Sequence, residues 1–170
     1  MLFRSCIPEL EQIAEECWKA ISTDHKILFC GNGGSAADSQ HLAAEFVGRF
    51  VKERKGLPAI ALTTDTSILT AIGNDYGYPE VFRRQVEALG QKGDVLIGIS
   101  TSGNSENVVR AFEEAKKLGI KVVAFTGGKA SRMSQLAEHT LYVEAPETAR
   151  IQECHILAGH LICDYIDEHY

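Results

Sequence analysis

The sequence predicts a doubly wound α/β fold: a five-stranded parallel sheet forming the middle of three layers, with helices on both faces. Five short runs of apolar residues, 26–30, 59–62, 94–100, 121–125 and 140–143, are continuous rather than alternating, as strands buried on both faces are. Helical stretches separate each run from the next, which is the signature of parallel strands joined by crossovers. Two of the runs close on segments rich in Gly, Ser and Asn, placing tight turns at strand ends.

The elements follow in order. After Pro8, which suits the first turn of a helix, Leu10, Ile13, Ala14, Cys17 and Ala20 or Ile21 recur at helical spacing and leave a Glu-rich face for water. Residues 1–25 thus form an N-terminal helical segment before the first strand. A second helical pattern runs over 36–51, another helix begins near Glu106, and a last one carries Ile151, Ile156, Leu157, Leu161, Ile162 and Ile166. With no internal repeat or linker, the 170 residues read as one domain spanning 1–170.

Composition narrows the function. The chain is 45% hydrophobic and 24% charged, too apolar for disorder, and no apolar run approaches the ~18 residues of a membrane helix. A formal charge of −6 without a basic patch gives no attraction to nucleic-acid phosphates. Cys6, Cys17, Cys30, Cys154 and Cys163 are an odd set with no C-x-x-C pair, and read as reduced, mostly buried thiols. Glu9, Glu11, Glu15 and Glu16 are incompatible with the apolar core of a signal peptide, so the expected compartment is the cytoplasm.

In doubly wound sheets ligands bind beyond the carboxyl ends of the strands, near the switch in strand order. The loops to inspect are 31–35, 63–67, 100–105 and 126–130. Gly31, Asn32, Gly33, Gly34 and Ser35 follow the first strand; Ser100, Thr101, Ser102, Gly103, Asn104 and Ser105 follow the third and run into a helix. Small residues let backbone N–H groups approach an anion, hydroxyls add donors, and the helix start adds its positive dipole end. Neither loop carries the lysine of a Walker loop or the G-x-G-x-x-G spacing, so a monophosphate fits better than a nucleotide. The plainer alternative is a tight turn with a helix cap.

His41 and Glu45 lie one helical turn apart, a pair able to hold a metal or act together on a substrate proton; a solvated surface contact is the alternative. Gln152, His155 and His160 lie in the last helix. Gln152 and His160 are separated by roughly 12 Å of helix rise, so on spacing alone they read as a capping Gln and a half-buried His. His25, His139 and His169 have no supporting constellation and read as surface or strand-end residues.

Residues 30–46 (CGNGGSAADSQHLAAEF), 61–75 (ALTTDTSILTAIGND), 100–105 (STSGNS) and 148–160 (TARIQECHILAGH) closely resemble the phosphoheptose isomerases, enzymes of the sugar isomerase (SIS) domain class with a flavodoxin-like sheet. The resemblance runs from about Ile27 to Ile166. It implies conversion of sedoheptulose 7-phosphate to D-glycero-D-manno-heptose 7-phosphate through an enediol, for bacterial surface polysaccharides such as lipopolysaccharide. It assigns Asn32, Gly33, Gly34, Asn74 and Asp75 to the substrate, with Ser100, Thr101, Ser102 and Ser105 on its phosphate. His41, Glu45, Gln152 and His160 would ligate zinc, one ion per subunit, with Glu45 and Gln152 also touching substrate. Glu45 would shuttle the carbon proton while His160 serves the oxygens. A homotetramer with active sites at subunit interfaces is also implied, although the segment before Lys26 is shorter than the family's usual helical region. Competing readings are a tetrameric adaptor of the replication-initiator-associating type, a sugar-phosphate sensor, and an isomerase of hexose phosphates. The metal-ready set of four argues for an enzyme over an adaptor.

Overall fold

The computed structural model describes residues 6–170. Five parallel strands, β1 (Ile27–Gly31), β2 (Ala59–Ala61), β3 (Val95–Ser100), β4 (Lys121–Gly127) and β5 (His139–Val143), form one sheet in the order β2-β1-β3-β4-β5. This is the flavodoxin-like order, and its switch point lies between β1 and β3. Every residue of β1 and β3 is buried, which is why their sequences are continuously apolar.

The helices are α1 (Ile7–Ser22), α2 (Gly34–Val47), α3 (Thr66–Asp75), α4 (Arg83–Leu89), α5 (Glu106–Leu118), α6 (Arg132–Leu136) and α7 (Thr148–His169), with a 3-10 turn at Tyr78–Glu80. Alternate strand residues divide the core in two. Ile27, Phe29, Val95, Ile97, Ile99, Val123 and Phe125 pack under α1, α2 and α7, while Leu28, Cys30, Leu96, Val122 and Ala124 face α4, α5 and α6. In α1 the buried set is Leu10, Ile13, Ala14, Cys17, Ala20 and Ile21, the stripe its periodicity predicts.

One boundary differs in substance. The pattern over 36–51 predicts a helix reaching Val51, but α2 begins at Gly34 and stops at Val47. The backbone N–H groups of Val51 and Lys52 instead donate to Asp167 at 2.8 Å each, so a side chain on α7 claims donors that a continuing helix would use. The cysteines behave as read. Cys17, Cys30 and Cys163 are buried, their thiols pushed up by desolvation, Cys163 to about 12. Cys6 is buried with its thiol donating to the Tyr142 carbonyl, and Cys154 is half-buried. His139 opens β5 and bonds Glu9 at 3.0 Å, tying α1 to the sheet.

Among the described residues no helix is long and apolar enough to cross a membrane.

Candidate active site

The two turns singled out by composition lie side by side. Gly31 pairs with Ile99 in the β1–β3 ladder, so Asn32 and Ser100 leave adjacent strands at the same level of the sheet, at the switch point. Ser100 Oγ lies 2.9 Å from Ser105 Oγ and 3.3 Å from Ser102 Oγ, gathering three hydroxyls over the start of α5. Ser105 stands at the N-cap of α5 yet makes no side-chain cap bond, so the positive helix end is left facing the hydroxyls. Thr101 is pinned from behind, its carbonyl accepting from the Gly127 N–H at 3.1 Å. Gly103 has φ +64, and a Cβ there would collide with Ser131, so the loop needs glycine at this position. Glu106 beside the cradle would repel a phosphate, but Arg132 and Arg110 pair with it and hold its carboxyl at about 2.

The first turn is braced by residues that sequence reasoning missed. Asn32 and buried Asn107 exchange amide hydrogen bonds in both directions at 2.9 Å, and Tyr78 Oη donates to Asn32 Oδ1 at 2.9 Å. The Asn32 side chain is therefore largely committed to holding the turn against α5, leaving mainly its backbone for a ligand. An Asn in a first helical turn, next to a Ser-rich loop, was the available signal for Asn107; for Tyr78 there was none. Asn74 and Asp75 are exposed at the end of α3, where Asn74 Nδ2 donates to Asp75 Oδ1 at 2.8 Å.

α2 and α7 pack side by side in the same direction, with Gly34 beside Gln152, Leu42 on Gly159 and His41 against His160. Gly159 permits the close approach, since a Cβ there would strike Leu42. As a result His41 Nε2 and His160 Nε2 lie 2.8 Å apart, one ring donating to the other, with Glu45 Oε1 3.3 Å from His41 Nε2. One donor atom from each of these three residues falls within 4.8 Å of the others. Phe50 flanks the His160 ring at 5.5 Å.

Two imidazoles and a carboxylate suit zinc, which takes such donors at about 2.0–2.2 Å in tetrahedral geometry. Nitrogens sharing such an ion stand about 3.3 Å apart, so the rings need open by only about 0.5 Å to admit it. The residues fit the group. The fourth expected ligand, Gln152, is not brought to them within one chain: it lies against Gly34 at the start of α2, two helical turns before His160. Glu45 likewise stands eleven residues after Gly34, about 16 Å along α2 from the turn beside the cradle. One chain thus presents a hydroxyl cradle, the candidate phosphate end, and a His/Glu/His end that are well separated.

His155 is fully buried on α7, its Nε2 bonding the Thr126 carbonyl at 3.1 Å while Nδ1 has no partner among the described residues. Burial lowers its pKa to about 4, so the ring is neutral and serves the core.

A model of the SIS domain matches residues 4–127, which accords with the sheet order and the hydroxyl cradle. The class is that of the sugar isomerase domains. Within it, the phosphoheptose isomerase of a Nitratiruptor species is 60% identical over 154 residues, covering 91% of this chain and 82% of its own. The solved phosphoheptose isomerase of Neisseria gonorrhoeae superimposes with a TM-score of 0.89 at 51% identity, over 95% of this chain and 86% of that one. That of Francisella tularensis does so with a TM-score of 0.93 at 40% identity, over 97% and 88%. The chain belongs to the phosphoheptose isomerase family, and is an aldose–ketose isomerase; the adaptor reading is not favoured.

Proposed function

We propose that the enzyme interconverts sedoheptulose 7-phosphate and D-glycero-D-manno-heptose 7-phosphate through an enediol, in an active site shared between subunits of a cytoplasmic homotetramer. The observation that supports this most is the gathering of His41, Glu45 and His160 donor atoms within 4.8 Å, which an adaptor has no need of.

Isomerisation moves a proton between C1 and C2 and another between O1 and O2. The substrate phosphate binds Ser100, Thr101, Ser102 and Ser105 over the α5 N-terminus, and this remote binding orients the reacting end. Asn32, Gly33, Gly34, Asn74, Asp75 and Gln152 line the sugar. Glu45 takes the proton from C1 of the ketose and returns it to C2, while His160 relays the hydroxyl proton between the oxygens. His41, Glu45 and His160 would hold a zinc ion with Gln152 through one donor atom each, which leaves the second Glu45 oxygen and His160 Nδ1 for the proton transfers, and when bound the metal would supply Lewis-acid stabilisation of the developing oxyanion.

Because Gln152 lies at the phosphate end and Glu45 about 16 Å away along α2, the four ligands meet when the His/Glu/His end of one subunit faces the phosphate end of another. The test is turnover of sedoheptulose 7-phosphate by purified protein before chelation, after it, and with zinc restored. Activity lost and regained establishes the reading; no turnover in a zinc-loaded tetramer overturns it in favour of the adaptor.

A further inference from the structure

We propose that the buried Arg54–Asp167 pair is a positioning clamp that sets Glu45 against His160, and so acts on the chemistry without touching substrate. The inference rests on the assignment of Glu45 and His160 above.

Glu45 lies in the last turn of α2, where carbonyl groups lack helical partners. That end has no left-handed glycine cap, since Gly48 sits at φ −77, ψ −105, and no basic residue in its final turn. Arg54 supplies what is missing. Its Nη2 donates to the Glu45 carbonyl at 3.0 Å and its Nη1 to the Phe46 carbonyl at 2.9 Å and the Lys55 carbonyl at 3.2 Å. Its Nε donates to Asp167 Oδ1 at 2.7 Å, both side chains being 2% exposed or less. The other Asp167 oxygen takes the Val51 and Lys52 N–H groups.

Asp167 stands seven residues beyond His160, two turns along the same face of α7. One guanidinium and one carboxylate therefore join the end of the helix that carries Glu45, the segment 48–56, and the helix that carries His160. Elsewhere α2 meets α7 through Leu42 on Gly159 and His41 against His160, contacts that set the register of the two helices ahead of the last turn of α2. Catalytic groups and metal ligands tolerate errors of only a fraction of an ångström, which a directional, four-acceptor clamp controls at the last turn of α2. Stability alone is a poor reason for the pair, because buried ion pairs are often replaced by apolar residues at no cost.

The experiment separates these roles. The double variant Arg54→Met/Asp167→Leu removes both charges together, and Arg54→Lys keeps the charge but cannot span the same acceptors. Thermal midpoint, zinc affinity by competition with a chromophoric chelator, and kcat and KM are measured for both, alongside Glu45→Gln. We expect midpoints lowered, because the Glu45, Phe46 and Lys55 carbonyls lose the Arg54 donors, but folded protein at the assay temperature, with zinc affinity weakened about tenfold or more and kcat reduced about tenfold or more at a KM within about twofold. Folded variants with parental kcat and zinc affinity overturn the clamp, as does an activity loss that merely follows the unfolded fraction. If the double variant does not fold, Arg54→Lys decides alone by the same criteria. Full turnover in Glu45→Gln would sink the role of Glu45 instead, and zinc affinity would still report whether the clamp sets His41 against His160.

Discussion

Gly34 and Gln152 occupy one space across the α2–α7 contact: a Cβ built on Gly34 would stand 2.5 Å from Gln152 Nε2 and 3.2 Å from its Cδ. The glycine is what lets the amide lie against the start of α2. Gly34→Ala should leave the thermal midpoint nearly unchanged, because the obstructed atom is the tip of a flexible side chain and alanine favours a helix start over glycine. Turnover should suffer: we expect kcat/KM to fall about tenfold, equivalent to about 1.4 kcal/mol, as Gln152 is displaced. A parental kcat/KM in a folded Gly34→Ala protein would remove Gln152 from the site.

Glu45→Gln keeps shape but not basicity. Loss of a general base costs about 10²–10⁴ in rate, so kcat should drop by that factor while substrate binding, measured by calorimetry, stays within a few-fold.

His41→Ala leaves only Glu45 and His160 of the clustered donors. Zinc content per subunit should fall to near zero by elemental analysis after dialysis, and added zinc should not restore turnover at concentrations that saturate the parent.

Ser100→Ala and Ser105→Ala each remove a hydroxyl from the cradle. A hydrogen bond to a charged group is worth about 1.5–3 kcal/mol, so KM for the phosphorylated substrate should rise about 10- to 100-fold. Turnover of the unphosphorylated sugar, which does not use the cradle, should be unaffected, and an equal loss on both substrates would contradict the assignment.

The buried His155 makes stability depend on pH. Its pKa falls from the ordinary 6.5 to about 4 on folding, chiefly through desolvation, so between those values the unfolded chain binds a proton that the native one does not. Stability is therefore full above pH 6.5 and declines as pH falls towards 4, by up to about 3 kcal/mol. Urea midpoints at about pH 7 and pH 5 should show the loss, and His155→Leu should flatten it. Glu106, whose carboxyl is lowered chiefly by Arg132, sheds its contribution only below the ordinary carboxylate range, so the two windows are distinct.

Much of the fold was legible because strands buried on both faces can only be apolar throughout, and the runs ending at Cys30, Ser100 and Val143 stand within a residue or two of the strands found. The small-residue turns were legible for a related reason: Gly, Ser and Thr let backbone N–H groups and hydroxyls come close to an anion. His41 and Glu45 were legible because helical period makes residues four apart neighbours. The end of α2 was not, because Val51 and Lys52 are diverted by Asp167, more than a hundred residues away.

By itself, then, the sequence determined what its own local periods encode: the alternation of strands and helices, the two small-residue turns, and the pairing of His41 with Glu45 on one helix face. The family resemblance put His160 with them, but only the tertiary structure decided how its ring meets that of His41, that Gln152 lies instead beside Gly34, that Asn107 and Tyr78 hold Asn32, and that Arg54 and Asp167 tie α2 to α7. These relationships depend on the register of one helix against another, set by Gly159 meeting Leu42 and by buried polar pairs, and no period within a single segment carries that information.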